Sequence, residues 1–162
     1  MTAETLTSVR ASATFPVAGN GPAGDMKVAW GTYAIAAAVE DGDIFEMHWV
    51  PDGATVVGGY SQADDIDTGT EALDMDTGWA ANSSDIADPD GLGNHGVWSG
   101  DVVGGVIGTA GVWFPHAGVL SSAGPKTFTA GGGKTMIQVE ANVASNAGHT
   151  GQLTVVTHYM VP

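Results

Sequence analysis

Between Ile44 and Val50 the chain alternates. Ile44, Glu46, His48 and Val50 fall on one side of an extended strand, and Phe45, Met47 and Trp49 on the other. A period of two marks β-structure, because successive side chains leave opposite faces of a pleated strand. Pro51-Asp52-Gly53 follows as a turn, with the proline ring pre-setting φ. Residues 54–61 (ATVVGGYS) form the next strand, so 43–61 predicts a β-hairpin. The same alternation is clearest near the C-terminal end. In 134–144 Thr135, Ile137, Val139, Ala141 and Val143 share a face; in 152–161 Leu153, Val155, Thr157, Tyr159 and Val161 do. Residues 145–151 (SNAGHTG) would join these two strands as a hairpin loop.

The remaining segments are less regular. MKVAWGTYAIAAAVEDGD (26–43) is Ala-rich, but Gly31, its β-branched residues and the flanking turn signals favour one long strand or two short ones over a helix. In 70–79 (TEALDMDTGW) Asp74 and Asp76 point to water while Leu73 and Met75 point inward. Residues 80–96 (AANSSDIADPDGLGNHG) carry turn residues throughout and read as a long loop. Residues 97–114 are apolar but broken by glycine, so short strands or an irregular packed loop are expected. Brief strands are expected around Val119–Leu120 and Thr127–Thr129. Turn signals recur about every eight to twelve residues, and no long helix is suggested. The expectation is an all-β chain: a single jelly-roll-like β-sandwich of about eight strands over residues 26–162. No internal repeat is visible.

Residues 1–25 differ in texture. They are rich in Thr, Ala, Ser, Gly and Pro, with few bulky apolar side chains. Two readings fit: a frayed terminus, or an extended N-terminal arm that lies along a neighbouring subunit and orders on binding. In the second reading Leu6, Val9, Arg10, Phe15 and Val17 are the candidate partner-binding residues. The segment lacks a basic stretch followed by an apolar one, so no secretory signal is expected.

Composition narrows the function. With 162 residues and 43% hydrophobic content, the chain can bury a real core. Acidic residues number 18 and basic ones four, giving a net charge of −14. No basic patch exists to neutralise phosphates, which argues against nucleic acid and against anionic membrane surfaces. The absence of cysteine removes disulfides and thiol catalysis.

Candidate chemistry is thin. GGGKT (131–135) would need glycine six residues before Lys134 to be a phosphate-binding loop, but Phe128 stands there, and a strand pattern follows instead of a helix. In DIADPDGLGNHG (85–96) an EF-hand register puts Ile86 and Val97 at two essential ligand positions; an irregular calcium loop built on Asp85, Asp88 and Asp90 stays open, against a loop whose side chains satisfy their own backbone. His48, His95, His116, His149 and His158 show no metal-ligand spacing. Asp74 and Asp76 share a strand face and could pair for glycoside hydrolysis, yet no sugar-stacking aromatics flank them. No G-x-S-x-G elbow is present.

One longer stretch resembles a known group. KVAWGTYAIAAAVEDGDIFEMHWVPDGATVVGGYSQADDIDTGTEALDMDTGWAANSSD, followed by GVWSGD and a last strand TVVTHYMV, is similar in texture and order to capsid decoration, or cement, proteins of tailed bacteriophages. The similarity spans about residues 26–162. It implies a structural protein on the outer capsid surface of the virion. Such a protein, often a homotrimer, binds the major capsid protein and locks neighbouring subunits, with no active site and no cofactor. Two alternatives remain. One is a head or tail fibre module with exposed Trp79, Trp98 or Trp113 near host glycans. The other is a calcium-dependent carbohydrate-binding β-sandwich.

Overall fold

The computed structural model describes residues 3–8, 11–12, 25–68, 70, 72–98, 112–148 and 150–161, and all but the side chains of 112 and 113 among them. The alternating segments form strands. They are β1 (Thr5–Thr7), β2 (Met26–Ile35), β3 (Ile44–Pro51), β4 (Thr55–Ala63), β5 (Asp74–Trp79), β6 (Asp88–Val97) and β7 (Val112–Pro115). A single helical turn, α1 (Val119–Ser122), precedes β8 (Lys126–Thr127), β9 (Lys134–Val143) and β10 (Gly151–Met160). One sheet runs β1-β3-β9-β5-β6; the other runs β2-β10-β4-β7, with β8 pairing on β4. All pairs are antiparallel except β1 on β3, which is parallel.

The two sheets enclose one core. Phe45, Met47, Met75, Ile137 and Val139 line it from the first sheet; Val56, Leu153, Val155 and Tyr159 line it from the second. The predicted inward face of β10 is fully buried, including Thr157. The all-β sandwich expectation therefore stands.

Both predicted hairpins are corrected. Strands β3 and β4 lie in different sheets, and so do β9 and β10. The turn at 51–53 and the connection at 144–150 each carry the chain across the core. Alternation marks a strand with one buried face, and both sheets of a sandwich offer such a face. Pairing partners are chosen by the whole fold, which periodicity along one strand does not encode.

Two other segments also differ from expectation. Much of the loop read at 80–96 is strand β6, whose turn-prone glycines fill a packing need. A Cβ at Gly91 would collide with the Trp79 ring, and one at Gly93 with the His95 ring. Glycine serves here to admit neighbouring rings, so β6 lacks the usual strand composition. Val119 and Leu120, read as strand, start α1.

Candidate functional site

Leu6 sits in β1 opposite Phe45 of β3 and packs, partly buried, against the core. The same segment is held further along: the Ser8 hydroxyl donates to the Met47 carbonyl, and the Trp49 indole N–H donates to the Ala11 carbonyl at 2.8 Å. Val9, Arg10, Phe15 and Val17 lie outside the described residues. Beside β1, a cleft of about 430 Å³ has an apolar lining that includes Leu6, Ile35, Val39 and Phe45. Asp43 closes one part of it, accepting the backbone N–H groups of Glu4 at 2.8 Å and Glu40 at 2.9 Å.

The acidic run at 64–76 is structural in detail. Asp67 is fully buried, forms an isolated bridge to Gly148 and accepts backbone N–H groups from Ala72 (2.7 Å), Leu73 (2.9 Å) and, far along the chain, Ala147 (2.9 Å). Burial alone would raise its pKa, but these donors outweigh it and hold the carboxyl below the usual range. Asp76, read as solvated, is only 4% exposed. It accepts the Asn142 amide at 2.6 Å and the His95 backbone N–H at 3.1 Å. Burial, with Asp74 and Asp90 adding repulsion, raises its pKa. The wet-face reading fails at this position because β6 and β9 flank β5 and their polar groups cover it.

Of the candidate calcium residues, Asp85 is drawn to other partners. Asp85 pairs with Lys126 at 2.7 Å and accepts the Asn82 amide and the Thr129 backbone N–H. Burial opposes ionisation of Asp85, but Lys126 and the other donors prevail and lower its pKa. Asp88 lies in β6; burial and then its neighbour Asp90 raise its pKa. Among the described residues no three His, Cys, Asp or Glu side chains converge to hold a metal. Residues 131–133 form the turn into β9, so the GGGKT segment leads into a strand.

The aromatic candidates are internal. Trp79 and Trp98 are buried; their indoles donate to the Ile86 and Met75 carbonyls. Packing is thus the use of both, and the Trp113 side chain lies outside the described ones. Histidines also turn inward. His95 Nε2 lies 3.1 Å from the Thr77 hydroxyl, Thr77 lies 2.8 Å from the Ser61 hydroxyl, and Ser61 lies 3.4 Å from His116 Nε2. This polar chain crosses between the two sheets. A second bridge joins His48 Nε2 to the Thr157 hydroxyl at 3.0 Å.

What the sequence reading missed is a contrast between the two outer faces. The first sheet bears Glu46, Asp74 and Glu140, with Asp76 buried beside them. Strands β2, β10 and β4 contain no Asp or Glu at all. Met26, Val28 and Trp30 of β2 are 64%, 46% and 43% exposed there. The signal was present as a shift of parity: Val28 and Trp30 occupy even positions, and Tyr33 and Ile35 odd ones. Both faces of that strand are therefore apolar in part. No helix among the described residues is long and apolar enough to cross a membrane.

No family model and no curated protein matches the sequence. The fold does match solved structures. It is similar to a chain in the capsid of Ralstonia phage GP4, with a TM-score of 0.74, 18% identity and 98% of each chain covered. It is also similar to a chain in the cyanophage Pam1 capsid asymmetric unit, with a TM-score of 0.60 and 20% identity, covering 94% of this chain and 96% of that one. At these identities the likeness establishes a shared fold.

Proposed function

We propose that this chain is a non-catalytic structural protein of a tailed-bacteriophage virion. It binds the outer surface of the assembled capsid, contacts the major capsid protein and cements neighbouring subunits, acting as a homotrimer. The observation that carries the reading is the end-to-end fold likeness to chains from two phage capsids, which leaves almost no part of any of the three chains unmatched. The sequence resemblance over 26–162 points the same way. The acidic outer face of the β1-β3-β9-β5-β6 sheet suits a particle that must stay dispersed, since like charge keeps surfaces apart.

The test is addition of the purified chain to capsids assembled without it. Cosedimentation that saturates at a fixed ratio to the capsid subunit, with new density on the outer surface by electron microscopy, is the expected result. Failure to sediment with the capsids at any ratio would overturn cementing.

In this reading the arm, residues 1–25, contributes contacts to the shell. Deleting residues 1–20 is expected to weaken capsid binding at least about tenfold, because one of several linked contacts is lost. The rest of the domain stays folded but melts lower. The deletion removes β1 and the bond from Trp49 to Ala11, and each kcal/mol lost lowers the melting temperature about 2–4 °C at this size. Circular dichroism melts alongside the binding assay check both halves; unchanged capsid affinity would remove the arm from the interface.

A further inference from the structure

We propose that the outer face of the β2-β10-β4 sheet, centred on Met26, Val28 and Trp30, is the surface on which copies of this chain meet. The inference deepens the self-association named above and identifies its contact. Exposed apolar side chains scattered singly need no explanation; a contiguous group does. Here they are contiguous. The pairing register sets Val156 of β10 between Trp30 of β2 and Tyr60 of β4, and Met160 opposite Met26. Val156 is only 9% exposed, covered between these larger side chains, and His158 stands opposite Val28 between it and Met160.

Charge identifies the occupant. Each copy carries −14, so two copies repel over most of their surface. Apposed like charges cost several kcal/mol, and a contact between copies is cheapest where neither side offers a carboxylate. These three strands contain none, although the chain has 18 acidic residues; Asp25, just before β2, lies 4.0 Å from Lys27 at the rim. The opposite outer face, with Glu46, Asp74 and Glu140 at least partly exposed, is the reverse case. Among the described residues, strand β2 is also the edge of its sheet, bonded to β10. A long edge strand with an apolar face is a liability unless it is covered. Three strands of about ten residues span about 33 Å by 14 Å, or about 450 Å². That is over half of the about 800 Å² that each partner buries in a standard interface, which fits the apolar centre of a larger contact.

The experiment uses the free full-length chain, without capsids, in analytical ultracentrifugation at about 50 µM, since association is concentration-dependent. The wild-type chain is expected to sediment as one discrete oligomer. Val28→Asp and Val28→Lys are each expected to sediment as monomers, with the dissociation constant raised about 100-fold, because either charge would be buried in the contact. Their circular dichroism and melting should match those of dilute wild type. Ala81→Asp, which adds the same charge at an exposed loop position, should leave the oligomer intact. A monomeric wild type, a polydisperse aggregate without defined mass, or variants that keep the wild-type mass would each overturn the proposal. None of these results bears on whether the chain binds capsids, so the two readings fail separately.

Discussion

Replacing Asp67 with Ala is expected to destabilise the domain by about 3–5 kcal/mol, a large share of the about 5–15 kcal/mol that holds a typical domain folded. The carboxylate is fully buried and accepts three backbone N–H groups. Two of them belong to the connection entering β5 and the third to the connection between β9 and β10. The side chain therefore ties together two irregular segments that no ladder of strand bonds would hold. Its own backbone adds a bridge to Gly148. Truncation strands three donors, each costing about 1–3 kcal/mol when buried and unmet. Water admitted to the space left by the carboxylate recovers part of that sum. Urea unfolding of wild type and variant at neutral pH measures the difference; a loss under about 1 kcal/mol would contradict the clamp. Asp67→Asn keeps one acceptor oxygen but turns a donor toward the remaining N–H groups, so it should also destabilise, though less. Because donors hold the folded pKa below the ordinary carboxylate value, the contribution is complete at neutral pH and is lost only in strong acid, as the folded group itself protonates.

Asp67 also illustrates what the sequence could reveal. That the strand pattern breaks at 64–67 into an Asp-rich connection is legible, because Asp disfavours strand interiors and satisfies backbone groups outside them. Its bond to Ala147 lies 80 residues away, and no local pattern encodes such a partner. The same division holds elsewhere. The inward face of β10 and, as far as Ala141, that of β9 were readable from alternation, since burial requires apolar side chains at every second position; Val143, on the same face of β9, is 45% exposed. The sheet to which each strand belongs was not. In β6 the tertiary demand of the Trp79 and His95 rings for space selected glycine, which erased the local strand signal.

The proposed contact surface was half legible. Val28 and Trp30 mark an apolar strand in any reading, but their exposure follows from what lies behind them. Position 31 must be glycine because its Cβ would run into the Met47 carbonyl of the facing sheet. With Ala29 and Gly31 directed inward, β2 sits close against β3, and the larger residues are left outside. Size pattern alone would have placed them in the core. The arm was less legible still: Leu6 is partly packed on its own domain, which a composition-based boundary at residue 25 does not anticipate.

Lowering the pH from 7 to 5 is expected to cost the fold about 2–4 kcal/mol, through the histidines between the sheets. Desolvation lowers the His95 pKa to about 4; His116, desolvated and facing the charges of His95, His48 and His158, falls to about 3. His95 is further enclosed by stacking on Phe114 at 4.8 Å. Both folded values lie below the ordinary 6.5, so the unfolded chain takes up protons first as the pH drops. Stability is therefore full above that value and declines toward the folded values. Each ring excluding its proton at pH 5 costs about 2 kcal/mol; partial exposure of the rings to solvent reduces the sum. The carboxylates with lowered values do not enter this window. Asp52 and Asp67, held ionised by backbone donors, and Asp85, held chiefly by Lys126, lose their contribution only below the ordinary carboxylate value. Asp76 and Asp88, raised by burial, shift the balance in the opposite sense, favouring the fold as the pH falls toward their own range. Urea melts at a series of pH values test this directly. His116→Asn should remove about half of the slope between pH 7 and 5 while the Ser61–Thr77 bond still joins the sheets. A wild-type stability that stays flat across that interval would mean the rings accept protons without opening the sandwich.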